Sequence, residues 1–191
     1  MPDRLSARLT AVRLPIPWEA CDLPNPLATR SMVLLTGEPG WRWTGATPGL
    51  EIPPCEQPSG TAVAGWDLDH VVVLVPDVAA AVATMAAAGV PVRLRMVVGD
   101  RPTAFFRVGP LLEAIEAPVR APSLYGVALV TQEPLGVVAL RWRSMGLEVT
   151  DPHPAIQPGR SIFTVRAIDA GLAVMSPDGA VATPHEHQSG R

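Results

Sequence analysis

The chain has 191 residues, 48% of them hydrophobic and 17% charged, with a net charge of −3. That balance suits one compact domain or two small modules sharing a core, and it argues against disorder throughout. No basic run interleaves with aromatics, so the electrostatic footprint of nucleic-acid binding is missing. All 15 residues counted as Lys plus Arg are arginines, which excludes chemistry that needs an amine side chain, such as a lysine Schiff base, a pyridoxal phosphate anchor or a P-loop lysine. The two cysteines, Cys21 and Cys55, make no CxxC pair and read as free thiols. Met1 to Trp18 carries arginines throughout without a continuous apolar stretch, and no apolar run nears the roughly 20 residues of a membrane helix. A cytoplasmic protein without a membrane partner is the expectation.

Residues 1–66 are proline-rich with weak periodicity. Leu9 to Ile16 and Met32 to Thr36 read as short strands, and Gly37 to Gly40 reads as a hairpin turn leading into Trp41 to Thr44. This segment is expected to be a β-rich extension.

The pattern sharpens at Asp67. His70 to Val75, HVVVLV, is a β-branched strand, stopped by Pro76 and by Asp77, a good helix N-cap. Val78 to Ala88 is alanine-rich, with Val78, Val82 and Met85 forming one apolar stripe and Gly89 fitting the left-handed position after the helix. Pro91 to Val98, Thr103 to Val108 and Leu111 to Ala117 follow as antiparallel strands separated by Gly99–Asp100 and Gly109–Pro110.

The order then repeats. Leu124 to Val130 is a strand, Glu133 to Gly146 brackets a helix, and Leu147 to Val149, Ser161 to Arg166 and Leu172 to Met175 are strand candidates. Matching Gly89 with Gly146 and Pro118 with Pro177 sets the halves in step, and such self-similarity outweighs any single motif. The fold class is therefore α+β, with two βαβββ modules at 67–120 and 121–178 pairing into a curled mixed sheet around a cleft, and a tail at 179–191. The HEH run with His185 and His187 reads as solvated tail.

DLDHVVVLVPDVAAAVATMAAAGV followed by TAFFRVGPLLEAIEAP resembles the first module of the vicinal oxygen chelate superfamily, which includes glyoxalases, bleomycin-binding proteins and extradiol dioxygenases. LYGVALV through AVMSP looks like a diverged second copy, so the resemblance covers Asp67 to Pro177. In that superfamily a divalent metal is held by His and Glu side chains of the first and last strands of the modules. The resemblance places those roles on His70 and Glu113, whereas the second-module positions are Gly126 and Ala173, which have no ligating side chain. A catalytic metal usually needs about three protein ligands. Glu116 falls on the opposite face of a regular strand from Glu113, and His153, in DPHP, reads as a turn residue.

The expected function follows from the resemblance: a glyoxalase-like protein acting on a small organic metabolite in its cleft, with a degenerate or absent metal site. It would work by lyase or isomerase-type proton transfer or by sequestering a toxic compound, with His70 and Glu113 as the catalytic pair. Asp67 and Asp69 are further carboxylates to consider as bases if buried near the substrate. The alternative is a metal-dependent lyase, isomerase or dioxygenase in which His70 and Glu113 ligate Zn, Ni, Mn or Fe. The GxSxG, HExxH and GxGxxG signatures are all missing. Trp41, Trp43, Trp66 and Trp142 read as core rather than pocket walls. The partner is a small molecule, and the chain is expected to be a monomer or homodimer.

Overall fold

A computed structural model describes residues 7–178. The N-terminal third forms a five-stranded sheet from β1 (Arg8–Leu14), β2 (Leu27–Ala28), β3 (Val33–Thr36), β4 (Gly40–Thr44) and β5 (Thr61–Ala62), in the order β4-β1-β3-β2-β5. The predicted hairpin at Gly37 to Gly40 is corrected here. β3 and β4 are not neighbours, because β1, buried on both faces along most of its length, inserts between them, parallel to β3 and antiparallel to β4.

The remainder forms one eight-stranded sheet with a helix after the first strand of each half. Its first half is β6 (Trp66–Val75), α1 (Val78–Ala87), β7 (Val92–Val98), β8 (Arg101–Arg107) and β9 (Leu111–Glu116). Its second half is β10 (Ser123–Thr131), α2 (Leu135–Ser144), β11 (His153–Pro154), β12 (Ser161–Val165) and β13 (Gly171–Met175). The strand order is β11-β12-β13-β10-β6-β9-β8-β7, so the first strands of the two halves meet at the centre. The strand expected at Leu147 to Val149 is reduced to a single bridge from Val149 to Val165, and His153 lies in the two-residue β11 instead of a turn. Glu148 and Thr150 still take part in backbone hydrogen bonds with Arg166 and Thr164, so Pro152 and Pro154 shift the regular pairing rather than abolish it.

The start and end of α1 have legible causes. Asp77 accepts from the amides of Ala79 and Ala80 at 2.7 and 2.9 Å, and Glu116 accepts from the Val78 amide at 3.0 Å. These acceptors satisfy donors that a helix start leaves free. The Glu116 bond also shows that its carboxylate lies on the helix side of the sheet, as strand alternation requires. Gly89, at φ +79°, ends α1 in the left-handed conformation.

The registers of the sheet reveal a local twofold. β6 and β10 run antiparallel with His70 opposite Ala128, Val71 opposite Val127 and Val72 opposite Gly126. β6 pairs with β9 in parallel with Val72 beside Glu113, and β10 pairs with β13 in parallel with Ala128 beside Ala173. A rotation about the Val71–Val127 pair exchanges these relations, so it carries His70 onto Gly126 and Glu113 onto Ala173. Both central strands bulge one residue earlier, at Asp69 and Tyr125, each of which has no partner across the ladder.

One face of this sheet is dry. Val71, Val73, Val75, Leu112, Ala114, Val127, Leu129 and Val174 are buried in one core with Leu14, Ile16 and Trp18 of the N-terminal third and with Met85 and Trp142 of the helices. Burying a single large apolar side chain contributes about 1.5–3 kcal/mol, so this continuous layer fixes the sheet and leaves its other face to form a trough. Among the described residues, no helix is long and apolar enough to cross a membrane. The tail at 179–191, including His185 and His187, lies outside the described residues.

Candidate functional site

His70 and Glu113 project from neighbouring parallel strands onto the open face of the sheet. His70 Nε2 lies 3.2 Å from Glu113 Oε2, and each side chain is 12% exposed. The structure thus brings together the two side chains singled out in the sequence. They form the floor of a cavity of about 680 Å³, whose walls include Leu94, Met96, Phe105, Ile156 and Met175. Leu94 and Ile156 are exposed at its mouth. That volume lies within the ~300–1,000 Å³ of ordinary small-molecule sites.

Two neighbours extend the pair into a row. Asp69 Oδ2 accepts a hydrogen bond from His70 Nδ1 at 2.8 Å, although successive strand residues normally face opposite ways. The bulge at Asp69 supplies the reason, since an extra unpaired residue lets both side chains meet. Arg160, at the edge of β12, places Nη2 2.7 Å from Asp69 Oδ1 and donates from Nε to the Ser176 carbonyl at 2.8 Å. A buried row of alternating charge therefore runs Arg160, Asp69, His70, Glu113.

The row sets its own protonation. Burial opposes a charge on His70, but the Asp69 and Glu113 carboxylates on its two nitrogens outweigh that cost and push its pKa up to about 9. Burial likewise opposes the charge on Asp69, and the hydrogen bonds from His70 and Arg160 more than offset it, holding Asp69 below its ordinary value. His70 is thus an imidazolium near neutral pH.

The donor set does not fit a catalytic divalent ion. Among the described residues, no three or more His, Cys, Asp or Glu side chains group as metal ligands. Asp69 faces the far nitrogen of His70 and is committed to Arg160. The positions related to His70 and Glu113 by the twofold are Gly126 and Ala173, and a Cβ on Gly126 would stand 1.9 Å from the Gly171 carbonyl oxygen.

Other candidates fall elsewhere. Asp67 pairs with Arg30 at 3.1 Å, away from the cavity floor. His153 lines the cavity but is exposed, with Nδ1 3.0 Å from the Asp151 carbonyl oxygen. Trp41 and Trp142 are core residues, Trp66 stacks on Trp142 with ring centroids 5.9 Å apart, and Trp43 packs edge-on to Trp41. Arg160 escaped the sequence reading. Its only signal was an arginine bordering a β-branched strand.

Neither the family models nor the curated proteins searched contain a match to this chain. Solved structures do match. A hypothetical protein from Bacillus halodurans superposes with a TM-score of 0.50 at 10% identity, covering 62% of this chain and 99% of that one. The methylmalonyl-CoA epimerase from Mycobacterium tuberculosis gives 0.48 at 17% identity, covering 58% and 87%. A variant of the Streptomyces coelicolor methylmalonyl-CoA epimerase, in complex with 2-nitronate-propionyl-CoA, gives 0.49 at 16% identity, covering 61% and 97%. At these identities the likeness is one of fold. The fold is α+β, with two βαβββ halves joined in one mixed sheet, as the sequence reading expected.

Proposed function

We propose that this protein binds a small organic molecule in the cavity over His70 and Glu113 and moves a proton on it without a metal ion. The observation that carries this reading is the buried charged row ending in an apolar cavity. Burying ionised groups is costly unless they are paired, and a pocket that only held an apolar ligand would gain nothing from a carboxylate and an imidazolium at its floor. Residues 67–120 and 121–178 then act as two modules sharing one cleft, with 7–66 packed against the face of the sheet opposite it.

The chemistry suited to the pair is proton removal from carbon next to a carbonyl group. Glu113 accepts the C–H proton, and the bonding electrons move onto the carbonyl oxygen. The His70 cation at 3.2 Å offsets the charge that changes place, worth more in a water-poor site than in solution. Return of the proton by Glu113 to another carbon of the delocalised enolate gives an isomerase, and loss of a leaving group from the neighbouring carbon gives a lyase.

Incubating the protein in D₂O with a panel of small carbonyl acids, and following C–H to C–D exchange by NMR, tests this. Exchange should fall on the order of 100-fold or more in Glu113→Gln, the usual scale of general-base catalysis. Stoichiometric binding without exchange would replace the reading with sequestration. One equivalent of Zn, Ni, Mn or Fe in protein purified without chelator, lost in His70→Ala, would replace it with a metal-dependent enzyme.

A further inference from the structure

The trough does not end at His70. On the second-module side a separate cavity of about 360 Å³ opens, and His70 and Ile162 line both spaces. It exists because the side chains there are small. Ala128, Ala170, Gly171 and Ala173 face it, where the first module fills the related position with Glu113.

The second cavity has its own polar character. Tyr125, the bulge residue related to Asp69, lies over Gly171, where a Cβ would come within 2.5 Å of the Tyr125 ring. Tyr125 and Thr164, which carry hydroxyl groups, and Arg166, which carries a cation, are among its lining residues, and the Thr164 hydroxyl lies 3.5 Å from that of Thr150. The carboxylate nearest Arg166 is Glu148 at 4.0 Å, with both side chains about two-thirds exposed, so this guanidinium is only weakly engaged. No Asp or Glu lines the second cavity, whereas the first combines Glu113 with an apolar wall.

We infer that the second cavity is the head-group subsite of a single ligand spanning both, so that the ligand is an elongated amphipathic organic acid. Its anionic head lies toward Arg166 and the hydroxyls of Thr164 and Tyr125, and its apolar body lies along Leu94, Met96 and Phe105. Its middle crosses His70, which brings a mid-chain carbon within reach of Glu113. The inference rests on the proton-transfer reading for that last step, but its binding geometry stands separately.

Octanoate and the uncharged 1-octanol, compared by titration calorimetry, separate head from body. Octanoate should bind wild type about fivefold more tightly, as expected for one partly exposed ion pair, and Arg166→Gln should erase that advantage without changing octanol binding. Ala173→Leu narrows the second cavity and should weaken octanoate about tenfold, the scale of about 1.4 kcal/mol. Thr164→Met narrows the same space from β12, and Arg166→Gln alters an exposed side chain, so the test holds even if Ala173→Leu fails to fold. Unchanged octanoate binding in Arg166→Gln and Thr164→Met, alongside loss in Met96→Asp, would confine the ligand to the first cavity. That would overturn the inference and leave the proton-transfer reading standing. Failure of wild type to bind either probe would overturn the ligand class, whereas the proton-transfer reading is tested separately by the deuterium-exchange assay.

Discussion

Gly126 stands across the local twofold from His70, and a Cβ on it would lie 1.9 Å from the Gly171 carbonyl oxygen. β10 and β13 approach so closely there that a side chain is excluded by backbone, which cannot move aside as a flexible side chain could. The absence of a side chain at this position is therefore built into the spacing of two strands, and changing one residue does not make room for one. Gly126→His should not create a tight Zn or Ni site. Gly126→Ala should cost about 3 kcal/mol or more, the upper part of the overpacking range, because two paired strands must separate. Urea denaturation measures the second, and metal titration of the folded histidine variant measures the first. A stable variant binding one metal equivalent would contradict the account.

Arg160 ties the second module to the first through Asp69. Removing the guanidinium leaves a buried carboxylate facing His70 alone, a change that typically costs about 3–5 kcal/mol. Arg160→Gln should fall near the lower end, since the Ser176 carbonyl keeps a donor within reach. Combining it with Asp69→Asn should cost less than the sum of the two single changes, because the neutral pair leaves no orphaned charge. Additive losses in a double-mutant cycle would show that the two side chains are not coupled.

The module order was legible because its signals are local. β-branched runs give way to an alanine-rich stripe and then to turn residues, and these periodicities do not depend on distant contacts. The approach of His70 to Glu113 was also legible, since the first and last strands of such a module are neighbours. Arg160 was not, because its partner Asp69 lies 160 − 69 = 91 residues away and no pattern joins them. Asp69 was weighed only as a lone carboxylate. Regular alternation turns it away from His70, and nothing in the sequence marks the bulge that reverses this. The Gly37 to Gly40 turn misled for a related reason: glycine and proline mark a reversal but not which strand comes to lie alongside.

The thiols should be silent in the native state. Cys21 and Cys55 are both buried and free, and burial pushes the Cys21 pKa up to about 12 and raises that of Cys55 as well. Thiolate is the reactive form, so an aromatic disulfide reagent at pH 8 should label neither cysteine until denaturant is added, then label two. Fast labelling of either thiol in folded protein would show that its segment opens readily.

The row centred on His70 should give stability an alkaline limit. Its folded pKa of about 9 lies above the ordinary 6.5, so the folded protein keeps a proton that the unfolded chain releases between these values. The contribution is thus complete below about pH 6.5 and is lost as pH rises toward 9, and the span corresponds to at most about 3 kcal/mol. Asp69 acts at the other end. Its pKa is lowered, so its contribution is present above the ordinary value of 3.8 and is lost as pH falls through the lower folded value. The raised thiols add alkaline loss only above the ordinary cysteine pKa of 9.0, which leaves the interval from 6.5 to 9 to His70. Urea midpoints of wild type should fall across that interval, while those of His70→Asn should stay nearly level. Parallel curves for the two proteins would mean that His70 is not held as an imidazolium between Asp69 and Glu113, and the proton-transfer reading would lose its charged partner.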